Sequence, residues 1–196
     1  MIAFQMMSCQ EKSSQKSVEI STVKVMEDPT SVGLENQLIV GSETPQKVVC
    51  QDSCEITYQN CTIFTKPNLD GLGDAIVVAY NNAKQYVISD DDAQYFYGKS
   101  GNYLFLDIGT GNVRTLAIYD WIQNKMLVTI DGIFGDVKMV GNKLIYSQLM
   151  DDATVKSLNL SPCSNPDLEV SGYTEELSYD LETHKITSTK KYTCVK

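Results

Sequence analysis

The feature that most constrains this chain is a sequence pattern that returns after sixty residues. Three short matches share this spacing: Tyr119-Asp120 with Tyr179-Asp180, Lys125 with Lys185, and Asp91-Asp92-Ala93 with Asp151-Asp152-Ala153. Self-similarity at a fixed spacing is typical of proteins built from a repeated supersecondary unit. We therefore predict a duplicated unit, with the first copy over residues 70–130 and the second over residues 131–196. A run over residues 70–74 also resembles residues 131–136, with one residue inserted.

Both units have the pattern of short strands. The candidate strands are β-branched or aromatic and are bounded by Gly, Asn or Asp: Ala75 to Tyr80, Tyr103 to Leu106, Arg114 to Tyr119, and Lys143 to Tyr146. Helical periodicity is weak throughout, so we predict an all-β fold. Two duplicated antiparallel meanders would pack as a sandwich or as part of a propeller.

Residues 117–128 and their counterpart, residues 181–186, resemble the outer hairpin of a β-propeller blade, where an aromatic-Asp pair precedes a polar turn. The resemblance implies blade-like units. A closed propeller needs at least four blades of about 40–50 residues, and the chain after Asp70 is too short for four such units. We predict a single β domain over residues 18–196, in which residues 18–69 form a less regular, cysteine-bearing β region.

The first seventeen residues have the pattern of an export signal remnant and tether. Met6-Met7-Ser8-Cys9 is followed by a polar stretch over residues 10–17. This arrangement resembles the bacterial lipobox, which implies lipid attachment at Cys9 and a location in the periplasm or on the outer membrane. The alternative is an unmodified Cys9 behind a disordered tail. No later segment has the roughly 20 apolar residues that a transmembrane helix needs.

Charge narrows the range of partners. The chain carries 16 Lys plus Arg against 25 Asp plus Glu, a formal charge of −9. Like charges would repel DNA, RNA and anionic lipid surfaces, so nucleic acid is excluded as a partner and any membrane contact would run through the lipid anchor.

Five further cysteines are candidates for disulfides: Cys50, Cys54, Cys61, Cys163 and Cys194. We predict a Cys163–Cys194 bridge and a local bridge between two of the other three, which leaves one thiol unpaired. Such bridges persist in oxidising compartments and fit export. A structural zinc site usually has four ligands in closely spaced pairs, whereas six residues separate Cys54 from Cys61 and His184 is the only imidazole, so no metal or cofactor is predicted.

Residues 105–112, with the sequence Phe-Leu-Asp-Ile-Gly-Thr-Gly-Asn, resemble the phosphate loop of the sugar-kinase and actin-like ATPases. That family closes a cleft between two large α/β domains. Here only 76 residues follow Asp120, and their sequence pattern predicts strands. A phosphate motif needs its structural context, so we interpret this run as a glycine-rich β-hairpin.

No catalytic constellation stands out. His184 lies in a predicted polar turn, where an exposed imidazole needs no functional explanation. We predict a non-catalytic binding or scaffold module whose partner is an unidentified protein or glycan of the cell envelope.

Two alternatives to that function stay open. One is an envelope inhibitor or partner-binding protein. The other is a glycan-active hydrolase that uses clustered loop carboxylates, which could equally form a weak calcium-binding rim: Asp91, Asp92, Asp151 and Asp152. The aromatic residues Tyr119 and Trp121 are assigned to the core rather than to a binding surface.

Overall fold

The computed structural model describes residues 38–68, 72–80, 84–88, 94–109, 111–163 and 171–195. These residues form two antiparallel sheets and one short helix, which confirms the all-β prediction. The first sheet has five strands in chain order: β1 (Lys47–Cys50), β2 (Cys54–Thr57), β3 (Thr62–Pro67), β4 (Asp74–Tyr80) and β5 (Lys84–Ile88). The second sheet has seven: β6 (Gln94–Ser100), β7 (Tyr103–Ile108), β8 (Val113–Asp120), β9 (Lys125–Val140), β10 (Lys143–Leu149), β11 (Gly172–Asp180) and β12 (Lys185–Val195). Helix α1 (Asp152–Ser157) lies between β10 and β11.

The five-stranded sheet packs against one face of the second sheet. Ile56 and Ile76 of the first sheet share a buried cluster with Leu104 and Leu106 of β7. Successive strand residues point to opposite faces, so Phe105 belongs to a different cluster on the other side of β7. Strand β7 is therefore buried on both faces.

The second cluster lies inside the curve of the seven-stranded sheet. It combines side chains from β7 through β11, among them Phe105, Tyr146 and Tyr179. The bend comes from the 16-residue strand β9, whose first half pairs with β8 and whose second half pairs with β10. Gly132 and Gly135 lie in β9 with φ of 75° and 76°, a conformation that L-residues rarely adopt.

Residues 38–43 bridge β6 and the second half of β9. The N–H of Ile39 donates to the carbonyl of Tyr97 on β6 at 2.9 Å, and the N–H of Met139 on β9 donates to the carbonyl of Val40 at 2.7 Å. Gly41 has φ of 84°, and a Cβ at this position would collide with the Met139 carbonyl oxygen. The segment thus pairs β6, an edge strand of the sheet, with the far end of β9.

Several expectations from the sequence can be compared with this architecture. Tyr119 and Trp121 lie in the core, as predicted. Two similar runs in the sequence end in different places: Asp74, the last residue of the run over residues 70–74, opens β4 of the first sheet, whereas residues 131–136 lie within β9 of the second. The boundary between residues 130 and 131 also falls inside β9.

The described part of the chain contains two disulfides, Cys50–Cys54 and Cys163–Cys194. The second is the bridge predicted from the sequence, and the first is the predicted local one. Cys61 is the unpaired thiol and is buried in the cluster between the sheets. Cys50 and Cys54 also face each other in the β1–β2 register, so this bridge closes the hairpin.

Candidate functional site

Arg114, the only arginine in the chain, is held at the start of β8 by three partners. Its guanidinium donates to the Asp107 carboxylate at 2.8 Å, to the Tyr97 hydroxyl at 3.3 Å and to the Gly135 carbonyl at 2.7 Å. The guanidinium carbon also lies 5.1 Å from the centre of the Tyr97 ring, within the range of a cation–π interaction. The three partners lie on three different strands, β7, β6 and β9, and together they fix the plane of the guanidinium.

The Arg114–Asp107 ion pair is largely shielded from water, with side chains 22% and 18% exposed. Burial raises the pKa of the Asp107 carboxyl, and the neighbouring Arg114 charge offsets part of that rise. Burial lowers the pKa of Arg114, but its contacts with Tyr97 and Asp107 outweigh that effect and raise the pKa overall. Arg114 therefore stays charged at neutral pH.

This ion pair lines a cleft of about 640 Å³, here called the Arg114 cleft. Its walls come from residues 38–43, β6, β7, the β7–β8 turn, β8 and β9: Leu38, Val40, Tyr95, Phe96, Tyr97, Asp107, Gly109, Gly111, Arg114, Asp136 and Val137. Tyr95 and Tyr97 are half-buried, and the Tyr95 hydroxyl accepts a hydrogen bond from the Gly73 N–H at 3.2 Å. The cleft thus combines aromatic rings with a fixed donor and acceptor pair.

The glycine-rich run that resembles a phosphate loop is the β7–β8 hairpin, as predicted. Its acidic residue, Asp107, is paired with Arg114 rather than left open to a metal or phosphate. Gly109 and Gly111 form part of the cleft wall, and Gly109 has φ of 112°. The run therefore contributes to a site, although by a different geometry from the one its resemblance implies.

Of the four carboxylates predicted to form a rim, Asp151 and Asp152 lie among the described residues. Asp91 and Asp92, like Cys9, lie outside the described residues. Asp151 is the N-cap of helix α1, where its carboxylate accepts from the Thr154 N–H at 2.9 Å and from the Thr154 hydroxyl at 2.7 Å. These bonds lower the pKa of Asp151, and both Asp151 and Asp152 are exposed. Asp151 therefore has a structural role as a helix cap.

A second polar cluster lies where residues 38–46 meet the sheets. Lys99 on β6 is fully buried, and its ammonium lies 2.7 Å from the Glu43 carboxylate and 5.2 Å from the centre of the Tyr58 ring. The other Glu43 oxygen accepts from the Gly101 N–H. A buried charge needs such partners, so this ion pair fixes the chain that leads into the first sheet. Burial raises the pKa of the nearby Cys61 thiol to about 11, which makes it a poor nucleophile.

The lone imidazole is not among the residues that line the cleft. His184 follows Asp180 at the β11–β12 turn and contacts the Tyr179 hydroxyl through Nδ1 at 3.0 Å. Among the described residues, no three His, Cys, Asp or Glu side chains group closely enough to hold a metal ion. Within the same part of the chain, no helix is long and apolar enough to cross a membrane.

Arg114 and Lys99 were not identified from the sequence. One signal was available for Arg114, since a single arginine beside a glycine-rich turn is conspicuous in an acidic chain. For Lys99 we find no such signal, because a lysine in a polar stretch of β6 does not by itself indicate burial. Its burial depends on Glu43, which is 56 residues away in sequence.

Comparison with known proteins gives no relatives for this chain. No protein-family model matches it, and the searches of curated proteins and of solved structures found no match. The function is therefore inferred from the geometry of the Arg114 cleft.

Proposed function

We propose that this protein is an exported, lipid-anchored binding module of the bacterial cell envelope, which holds its ligand in the Arg114 cleft without catalysing a reaction. The observation that carries the proposal is the single arginine, oriented by three hydrogen bonds in a cleft of about 640 Å³. That volume is within the range of ligand sites, which are mostly apolar and carry a few well-placed polar groups. Rigid orientation of such groups lowers the entropic cost of binding.

Export is supported by the two disulfides, which persist in oxidising compartments. A binding role without catalysis is supported by the state of the polar residues. Asp107 is paired with Arg114, Asp151 caps a helix, and His184 contacts the Tyr179 hydroxyl and does not line the cleft. These groups have structural partners of their own.

The binding proposal can be tested by filling the cleft. Gly111→Trp is suited to this, because a Cβ at Gly111 would meet no atom closer than 3.9 Å. Gln123→Trp is the matched control, since it adds the same side chain at an exposed position in the β8–β9 turn. The full chain would be immobilised and exposed to the detergent-solubilised envelope fraction of its host.

We expect the wild type and Gln123→Trp to retain the same envelope material, and Gly111→Trp to lose at least nine-tenths of it. Equal retention by Gly111→Trp would show that the cleft is not the binding site. No retention by the wild type would contradict the binding function itself.

Lipid anchoring is tested separately by growing the host with labelled palmitate. The wild type should incorporate label and partition with membranes, whereas Cys9→Ala should do neither. Cys61→Ala controls for acylation at the other unpaired thiol. Label that persists in Cys9→Ala would refute the anchor.

A further inference from the structure

We infer that the Arg114 cleft takes an uncharged oligosaccharide. The inference rests on the proposed function, since it names the ligand class of that same site. Three properties of the cleft support it: its charge, the arrangement of its hydrogen-bonding groups and the placement of its aromatic rings.

The charge of the cleft disfavours anions. Asp107 neutralises Arg114 at 2.8 Å, and Asp136 adds a further carboxylate to the wall, so the lining side chains carry one net negative charge. The whole chain carries −9 and would also repel an anionic ligand. A cationic ligand would have to approach the fixed guanidinium. An apolar ligand would remove water from the ion pair without replacing its hydrogen bonds.

The hydrogen-bonding groups suit hydroxyls. The three contacts of Arg114 within the described residues use three of its five N–H donors, and the paired carboxylate is an acceptor only. A donor and an acceptor therefore stand side by side at 2.8 Å. A hydroxyl can both donate and accept, so two neighbouring hydroxyls of a sugar ring match this pair.

The aromatic rings complete the match. Tyr95 and Tyr97 both line the cleft from β6, where a β-bulge between Phe96 and Gly98 leaves Tyr97 without a partner residue on β7. Both rings are half-exposed and both hydroxyls are held, that of Tyr95 by Gly73 and that of Tyr97 by Arg114. Tyrosine contributes a large contact area with an apolar face and a polar tip. Such faces pack on the C–H surfaces of sugar rings.

The experiment is a binding screen of the full chain against three matched sets of oligosaccharides. One set is uncharged (hexasaccharides of glucose, mannose and N-acetylglucosamine), one carries uronic acids, and one carries free amines. Affinities are then measured by titration calorimetry for the wild type, Arg114→Lys, Tyr97→Phe, Gly111→Trp and the control Gln123→Trp.

We expect at least one uncharged oligosaccharide to bind at least tenfold more tightly than its acidic or amine-bearing counterpart. Arg114→Lys should weaken binding tenfold or more, because lysine lacks the planar fork that reaches Asp107 with one nitrogen and Tyr97 and Gly135 with the other. Tyr97→Phe keeps the ring and loses one hydrogen bond to Arg114, so it should weaken binding two- to fivefold. The affinity of Tyr97→Phe also tests the role of the Arg114 contacts if Arg114→Lys does not fold.

The possible failures are distinct. If the acidic or amine-bearing set binds best and Gly111→Trp abolishes that binding, the ligand class is wrong and the binding function stands. The same conclusion follows if no oligosaccharide binds, but the wild type retains envelope material and Gly111→Trp does not. If an uncharged oligosaccharide binds Gly111→Trp as tightly as the wild type, the cleft is not the site, and both proposals fail.

Discussion

The β8–β9 and β11–β12 turns are built in the same way but packed into different cores. In the first, Asp120 accepts from the N–H groups of Ile122 and Gln123 at 3.0 and 2.9 Å. In the second, Asp180 accepts from the N–H groups two and three residues later at 3.0 and 2.8 Å. Asn124 and His184 then take the left-handed conformation, with φ of 53° and 56°. Each accepts or shares a hydrogen bond with the tyrosine that precedes the turn.

The difference lies in what surrounds the residue after the aspartate. Trp121 is fully buried in the cluster between the two sheets, and its ring meets Tyr80 edge-on at 5.1 Å. Leu181 is buried in the cluster inside the curved sheet. The conformation of each turn is therefore set by local hydrogen bonds. The residue that follows the aspartate depends instead on the size of the space that its side chain fills.

The largest effect should come from removing the side chains that differ. Trp121→Ala should cost about 3–5 kcal/mol in the free energy of unfolding, and Leu181→Ala about 2–5 kcal/mol. The tryptophan should cost more, because the variant also loses the edge contact with Tyr80 and the N–H bond to the Gly101 carbonyl at 3.4 Å. Urea denaturation of both variants measures the two values. An equal or larger loss for Leu181→Ala would mean that the core inside the curved sheet is the tighter one.

The aspartates offer the next test, since their local roles are the same and their exposure differs. Asp120 is 5% exposed, and Asp120→Ala leaves two backbone donors without their acceptor. We expect a loss of about 1–3 kcal/mol. Asp180→Ala should lose less, because water can reach its turn. Similar losses in urea denaturation would show that burial contributes little to either turn.

The strands were predictable because their signals are local in sequence. The Cys163–Cys194 disulfide was predictable because few cysteines are available to pair. Short β-branched or aromatic runs bounded by Gly, Asn or Asp located β7 and β8, and the glycines between them indicated a hairpin. The short helix α1 was missed. Its signal, an aspartate three residues before a threonine, is common in turns, and none of its residues is buried.

The candidate site was far less predictable than the fold. Residues of the glycine-rich run were noticed, but their partner Arg114 was not, although it lies only seven residues from Asp107. The remaining contacts join Tyr97 and Gly135 from strands 38 residues apart in sequence, and the cleft needs the bend in β9 to bring them together. Local periodicity carries no information about such a bend.

A smaller effect is expected in the pH dependence of stability, to which Asp180 in the β11–β12 turn should contribute. Backbone hydrogen bonds, led by that from Thr183, lower the pKa of Asp180 in the folded protein. The resulting stabilisation is present above the unfolded value of about 3.9 and is lost as the pH falls through the lower folded pKa. Asp180→Asn removes this titration. Urea midpoints at pH 5 and pH 2.5 should therefore differ less in the variant than in the wild type, and an unchanged difference would argue against the assignment.

The smallest effect is expected where the second turn is converted into the first. His184→Asn places in the second turn the residue that the first uses at the same left-handed φ, and asparagine tolerates this conformation well. The asparagine side chain can also bond a tyrosine hydroxyl, as Asn124 does with Tyr119 at 2.6 Å. The free energy of unfolding should therefore change by no more than about 0.5 kcal/mol, whereas His184→Val should be clearly less stable, because a β-branched residue is strained at positive φ. Thermal denaturation of the two variants gives the comparison. A large loss in His184→Asn would mean that the imidazole has a role in the second turn that asparagine cannot fill.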